Sequence, residues 1–316
     1  MFVNLRRNAE GGGLLTTLRT TWRPQPRWQR DTVIAILALS PSIVAVAVFI
    51  YAFLLWTGYM SLTRWNDVLP DYTFVGLANF GRLIDTDRFI TDLKNTALFA
   101  SLFIGECIVV GFSLAAFLDQ RVRGEAIFRT IILLPFAVSA IVTGVAWRWL
   151  ESYTSGLNLL FSKVGLGFLQ SHWFADSNIG IIAVTLAATW QMSGYVMALY
   201  LAGLRSIPAE LREAAAIDGA GTFALYRHVL VPLLAPVTWS VVVILGTLSL
   251  RVFDLTASMT QSGPAFADDT PGYFMFQTTF QSNHFSQGAA IATAMLVPAV
   301  LLIVPYVRSL RSEVTA

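Results

Sequence analysis

Charge is scarce in this chain. Only 13% of its 316 residues are Asp, Glu, Lys or Arg, about half the ~25% of an ordinary soluble domain, which excludes a surface that faces water all round. The single cysteine, Cys107, rules out an internal disulfide and a thiolate metal cluster. It falls inside an apolar run and reads as a small hydrophobe. His172, His228 and His284 lie far apart with no ligand spacing, so no metal is assigned. No Gly-rich Lys-Ser/Thr phosphate loop occurs, so the sequence predicts no catalysis and no cofactor of its own. The formal net charge of +2 argues neither for nucleic acid nor for an acidic substrate.

What the chain has is long apolar stretches: 55% of it is hydrophobic, and its mean hydropathy is +0.63. Six runs reach the ~20 residues a hydrocarbon core demands, at 33–59, 95–118, 130–150, 178–204, 229–253 and 286–307. They do not alternate as barrel strands would, and only helices then satisfy their backbones in lipid. The expected fold is an all-α membrane protein with six transmembrane helices, kinked or started at Pro41, Pro135, Pro236 and Pro298. The expected organisation is an Arg-rich tail at 1–32, a membrane domain at 33–308 and a short tail at 309–316. The first apolar run begins too late and is too long for a cleavable signal. In the N-terminal tail, Trp22 and Trp28 among arginines suit anionic lipid, and a solvated tail is the other reading.

Lys and Arg give the sidedness. With the N-terminus inside, the inner segments hold fourteen (Arg6, Arg7, Arg19, Arg23, Arg27, Arg30, Arg121, Arg123, Arg129, Arg205, Arg212, Arg227, Arg308, Arg311) and the outer ones five (Arg64, Arg82, Arg88, Lys94, Lys163). That imbalance predicts cytoplasmic N- and C-termini. The outer connections near 60–94, 151–177 and 254–285 are long and rich in aromatics, as a lipid interface or an external partner requires.

One inner segment, 205–232, is polar and small-sided. Pro208 suits a first helical turn, Glu210 complements the helix dipole, and Ala214, Ala215 and Ala216 are strong helix formers, which predicts a short helix from Pro208 to Asp218 ended by Gly219. An alanine face admits close approach of another protein, and Glu213 offers it a carboxylate.

Polar groups inside the apolar runs are costly, and each carries two readings. Glu106 is either paired within the bundle or in contact with a solute. Gln191 and Tyr195 share a helix face four residues apart near Trp190 and Ser193; amide, phenol and indole suit a hydroxylated, ring-shaped solute, or they bond neighbouring helices. Ser249, Arg251 and Asp254 form either a polar cavity wall, with the last two as a self-neutralising pair, or an interfacial ion pair. A stand-alone secondary transporter would depend on Glu106 for ion coupling, and a membrane enzyme would need a titratable cluster at one face.

Glu213-Ala214-Ala215, three residues, Gly219, nine residues and Val229-x-Val231-Pro232 resemble the EAA loop of permease subunits in ATP-binding-cassette (ABC) importers, with valines where Ile and Leu are usual. FVGLANF (74–80), Asn95-Thr96, LAGLRSIP (201–208) and FDLTASMTQSGP (253–264) are similar to the maltose-type carbohydrate-uptake subfamily, and FLDQ, IVTGVAWRWL, WQMSGYVMALYLAGLR and PGYFMFQTTF to its glucose/mannose branch. The resemblance covers about 33–308. It implies a type I importer permease of a bacterial-type inner membrane, whose coupling helix docks on an ATPase through Glu213, Ala214, Ala215, Asp218 and Gly219. It also implies a solute path that includes Gln191, Met192, Tyr195, Leu248 and Ser249, to which the polar reading adds Arg251. The implied partners are a second permease, two ATPase subunits that bind ATP and Mg, a solute-binding protein outside, lipid and a sugar; glucose or mannose is the first expectation, another sugar, glycoside or polyol the alternative. Thr260-Gln261-Ser262-Gly263-Pro264 departs from the family's Thr-Gly-Gly-Gly-Pro, at the loop that would meet the binding protein.

Overall fold

The computed structural model describes residues 27–120, 122–177 and 179–315. The N-terminal tail as far as residue 26 and Arg121 lie outside them. The fold is 78% helical, with no strand among the described residues. Contacts divide the chain into two units, 1–54 and 55–316.

In the first unit, α1 (Arg27–Val46) runs through Pro41 and passes into a π-helical turn, Ala47–Ala52. Ile34, Leu37, Val44 and Phe49 are exposed along it, as side chains facing lipid would be. With α2 (Phe53–Ser61), residues from Ile34 make one apolar helix of 28 residues, long enough to span.

The second unit is built on α4 (Asp87–Asp119) and α8 (Gly180–Ser206), both long and apolar enough to span. Phe99, Phe103, Cys107 and Leu118 of α4 share a core with Ala183, Ala187, Val196 and Leu204 of α8. Lipid tails are as apolar as these side chains, so the pair is held by close packing and interhelical bonds. A small residue permits it: a β-carbon on Gly111 of α4 would stand 2.6 Å from Val196 of α8.

Two expected spans are broken. The 130–150 run divides into α5 (Glu125–Ala137) and α6 (Ala140–Leu150), bent by 97°. Pro135 weakens the end of α5, and Val138 turns extended. The 229–253 run divides at α11 (Val231–Leu233), where the helical segment that starts at Thr222 meets α12 (Ala235–Leu250) at 65°, with Pro236 in the first turn of α12. The last helix, α14 (Phe285–Thr315), continues through Pro298 and past residue 308; its apolar part, Phe285–Leu301, belongs to the sixth expected span.

The connections are partly helical. They contain α3 (Ala78–Ile84), α7 (Gly156–Lys163), α9 (Ala209–Ile217), α10 (Thr222–Leu225) and α13 (Pro271–Phe276). Asn79, in the FVGLANF stretch, donates to the carbonyls of Ser61 at 2.9 Å and Thr63 at 2.7 Å, satisfying groups left open where α2 ends. Asn95 donates to the carbonyls of Phe266 and Asp269, fixing the 254–285 connection to α4.

Candidate functional site

Two places gather the residues singled out in the sequence. The first is α9. Its start follows from Ile207 and Pro208, which are extended and stop α8. Its end is a Schellman turn: Ala220 N–H donates to the Ala215 carbonyl at 2.9 Å, Gly219 N–H to Ala216 at 3.1 Å, and Gly219 takes φ +78°, a conformation glycine adopts without strain. The expected bounds, Pro208 and Asp218, are its two caps. Glu213, Ala214, Asp218 and Gly219 are exposed, whereas Ala215 turns inward, on the helix face of Arg212 three residues earlier.

Arg212 holds this helix to the bundle. Its guanidinium pairs with Asp119 at the end of α4 (2.7 Å) and donates to the Leu204 carbonyl (2.9 Å). Tyr226 donates to the same carboxylate at 3.2 Å, and Arg205 pairs with Glu125 at 2.8 Å. The sequence marked Arg212 as charge and Asp119 only as part of FLDQ; a pair 93 residues apart leaves no periodic trace.

The second place is a cavity of about 470 Å³ between α4, α5, α8 and the end of α12, within the ~300–1,000 Å³ usual for small-molecule sites. Gln191, Met192, Leu248 and Arg251 line it, with Asp254 and the rings of Phe99, Phe103, Phe136 and Phe253. Tyr195 stands behind the wall, stacked on Phe136 at 5.0 Å. Ser249 is fully buried and gives its hydroxyl to the Leu245 carbonyl at 2.8 Å, so it presents no group to the cavity. Gln191 makes the interhelical bond of one of its two readings. It lines the space, and its amide donates at 2.7 Å to Val138, whose carbonyl the α5–α6 break leaves open. Arg251 and Asp254 are exposed at the cavity edge and are absent from the ion pairs among the described residues; α12 ends at Leu250, so helical i, i+3 spacing no longer applies. Glu106 accepts a hydrogen bond from Thr189 of α8 at 2.8 Å, a pairing within the bundle. Among the described residues no group of three or more His, Cys, Asp or Glu is placed to hold a metal ion.

Comparison with known proteins gives the family. Residues 107–311 match the family described as the binding-protein-dependent transport system inner membrane component. A probable ABC transporter permease of Pyrococcus horikoshii is 42% identical over 87% of this chain and 95% of its own length. A xylose/arabinose import permease of Haloferax volcanii is 36% identical over 79% of this chain and 80% of its own. A trehalose/maltose transport system permease of Thermococcus litoralis is 30% identical, covering 88% and 94%. The crystal structure of a bacterial ABC transporter that imports alginate superposes with a TM-score of 0.76 at 20% identity, covering 91% of this chain and 99% of that one, which shows the shared fold. The chain therefore belongs to the inner-membrane permease components of binding-protein-dependent ABC importers, in which the permease is not the catalytic subunit.

Proposed function

We propose that this permease imports a sugar, glucose or mannose being the first candidates, and that the phenylalanine-walled cavity is its half of the path. Flat rings suit the C–H face of a pyranose, while Gln191, Arg251 and Asp254 supply donors and acceptors for hydroxyls. Relatives named for xylose/arabinose and trehalose/maltose support the carbohydrate class.

The observation that carries the coupling role is the exposed alanine face of α9, pinned to the ends of α4 and α8 through Arg212. A push on Glu213 or Ala214 is thereby transmitted to the helices that wall the cavity, which is what alternating access requires. The partners proposed are a second permease and two ATPase subunits inside, which bind the ATP and Mg, and a solute-binding protein outside. In a solved alginate transporter, a substrate-bound periplasmic protein is part of the complex.

The test is reconstitution of the assembled transporter with Glu213→Lys, which reverses the exposed docking charge. The variant chain is expected to insert and fold, with sugar-stimulated ATPase activity and uptake both lost. Stimulation equal to the unaltered complex would remove α9 from coupling. Titration of the solute-binding protein with monosaccharides and disaccharides names the sugar.

A further inference from the structure

The most unusual chemistry in the molecule lies away from both places. Glu151, the residue that ends α6, is fully buried, and neither of its carboxylate oxygens has a hydrogen-bond partner. Asp268, in the 254–285 connection, is equally buried with both oxygens unpartnered. Its carboxyl fills the space that two glycines leave open: a β-carbon on Gly180, the first residue of α8, would stand 1.5 Å from it, and one on Gly263 2.6 Å away. Glu151 faces Asp268 closely enough for their charges to interact.

The surroundings do not neutralise them. Asp269 lies beside Asp268 and is already paired with Arg88 of α4 at 2.6 Å. That guanidinium sits between the rings of Phe266 and Phe274 and also donates to Ser262 and Gln277. Beyond it, buried Asp92 of α4 faces Asp269 with both oxygens unpartnered. Thr260 approaches Asp268 as a neutral hydroxyl. Among the described residues, Arg88 serves Asp269 and Asp92 but neither Glu151 nor Asp268, and a carboxylate left ionised without a partner in a dry interior is strongly disfavoured.

We propose that Glu151 and Asp268 are a proton-held latch: in their neutral form they let the 262–270 segment seat on the ends of α6 and α8, and losing their protons releases it. Burial first, and then the Asp269 charge against the opposing Thr260 hydroxyl, pushes Asp268 from 3.8 up to about 7. Burial first, and then Asp268, pushes Glu151 from 4.5 up to about 9. Both values are raised, so the seated state has its full stability below the ordinary carboxylate range and loses it as pH rises through about 7 and then about 9. Each group can weaken the seating by up to about tenfold per pH unit within its window.

The test uses the full chain in lipid nanodiscs, on a Cys107→Ala background with a nitroxide on Ala265→Cys, an exposed position of the segment. Both membrane faces then meet the same pH, so the outcome does not depend on sidedness or on transport. The mobile fraction of the label is expected to rise at least ~10-fold between about pH 5.5 and about pH 9. The same label in Glu151→Gln/Asp268→Asn, which fixes both side chains neutral, is expected to stay immobile throughout. A pH-independent label in the parent chain, or an equal response in the double variant, would overturn the latch. Recovery of the immobile signal at alkaline pH on adding millimolar calcium would also overturn it, in favour of a cation bridging the carboxylates.

Discussion

Ser249 and Gln191 stood equally well as path residues in the sequence, both being polar groups in apolar runs. The structure separates them by where their bonding capacity goes. A serine inside a helix can give its hydroxyl to the carbonyl four residues back, as Ser249 does to Leu245, and nothing in a one-dimensional pattern tells that from a hydroxyl aimed at a solute. Gln191 has two donors and an acceptor on a longer arm; one donor closes the open Val138 carbonyl and the rest of the amide remains for the cavity. Ser249→Ala is therefore expected to leave the KM for uptake within about twofold, since no solute contact is lost. On the proposed path, Gln191→Ala is expected to remove one solute hydrogen bond as well as the helix-to-backbone bond, about 1–2 kcal/mol, and to raise KM roughly 5–30-fold. Initial uptake rates in proteoliposomes measure both, and an equal loss in the two variants would contradict this division.

Among elements, α9 was legible almost to the residue because its signals are local: a proline before it, alanines within it and a glycine at its left-handed stop. The α5–α6 break was not, since 130–150 has the length and apolarity of one rod and only Pro135 hinted at a bend. The pinning of α9 was invisible for another reason, that Asp119 and Arg212 meet only through the tertiary fold. That pairing makes a prediction. Asp119 is 6% exposed and Arg212 29%, so Arg212→Ala leaves a nearly buried carboxylate without its cation, with the Tyr226 hydroxyl still donating to it. The cost is about 2–3 kcal/mol, below the ~3–5 of a fully buried pair because water reaches the arginine. Arg212→Lys keeps the charge but not the fork that spans Asp119 and the Leu204 carbonyl, and it is expected to fall between the two. The apparent Tm of the purified chain measures the stability, and sugar-stimulated ATPase in the assembled transporter measures the coupling. Full coupling in Arg212→Ala would mean that α9 transmits motion by another route.

For the whole molecule, charge distribution is the one long-range signal the sequence carries. Fourteen Lys and Arg on one side against five on the other predict which face looks inward. The same count predicts α9 on the inner side and the 151–177 and 254–285 connections, with the Glu151–Asp268 latch, outside. Sidedness is therefore what joins the two proposals: on this prediction an ATPase reaches Glu213 from within, while Asp268 senses the pH of the outer compartment. It can be tested directly, because Cys107 is fully buried and leaves an unreactive background. Ala216 is exposed on α9, and Val164 is 58% exposed in the 151–177 connection. A membrane-impermeant maleimide added to intact spheroplasts is expected to label Val164→Cys and spare Ala216→Cys, and the pattern should reverse in inside-out vesicles. Labelling of Ala216→Cys from outside would turn the molecule over and with it the docking role of α9; the latch, whose two carboxyl groups are buried whichever way the chain is inserted, would then report the cytoplasmic pH instead.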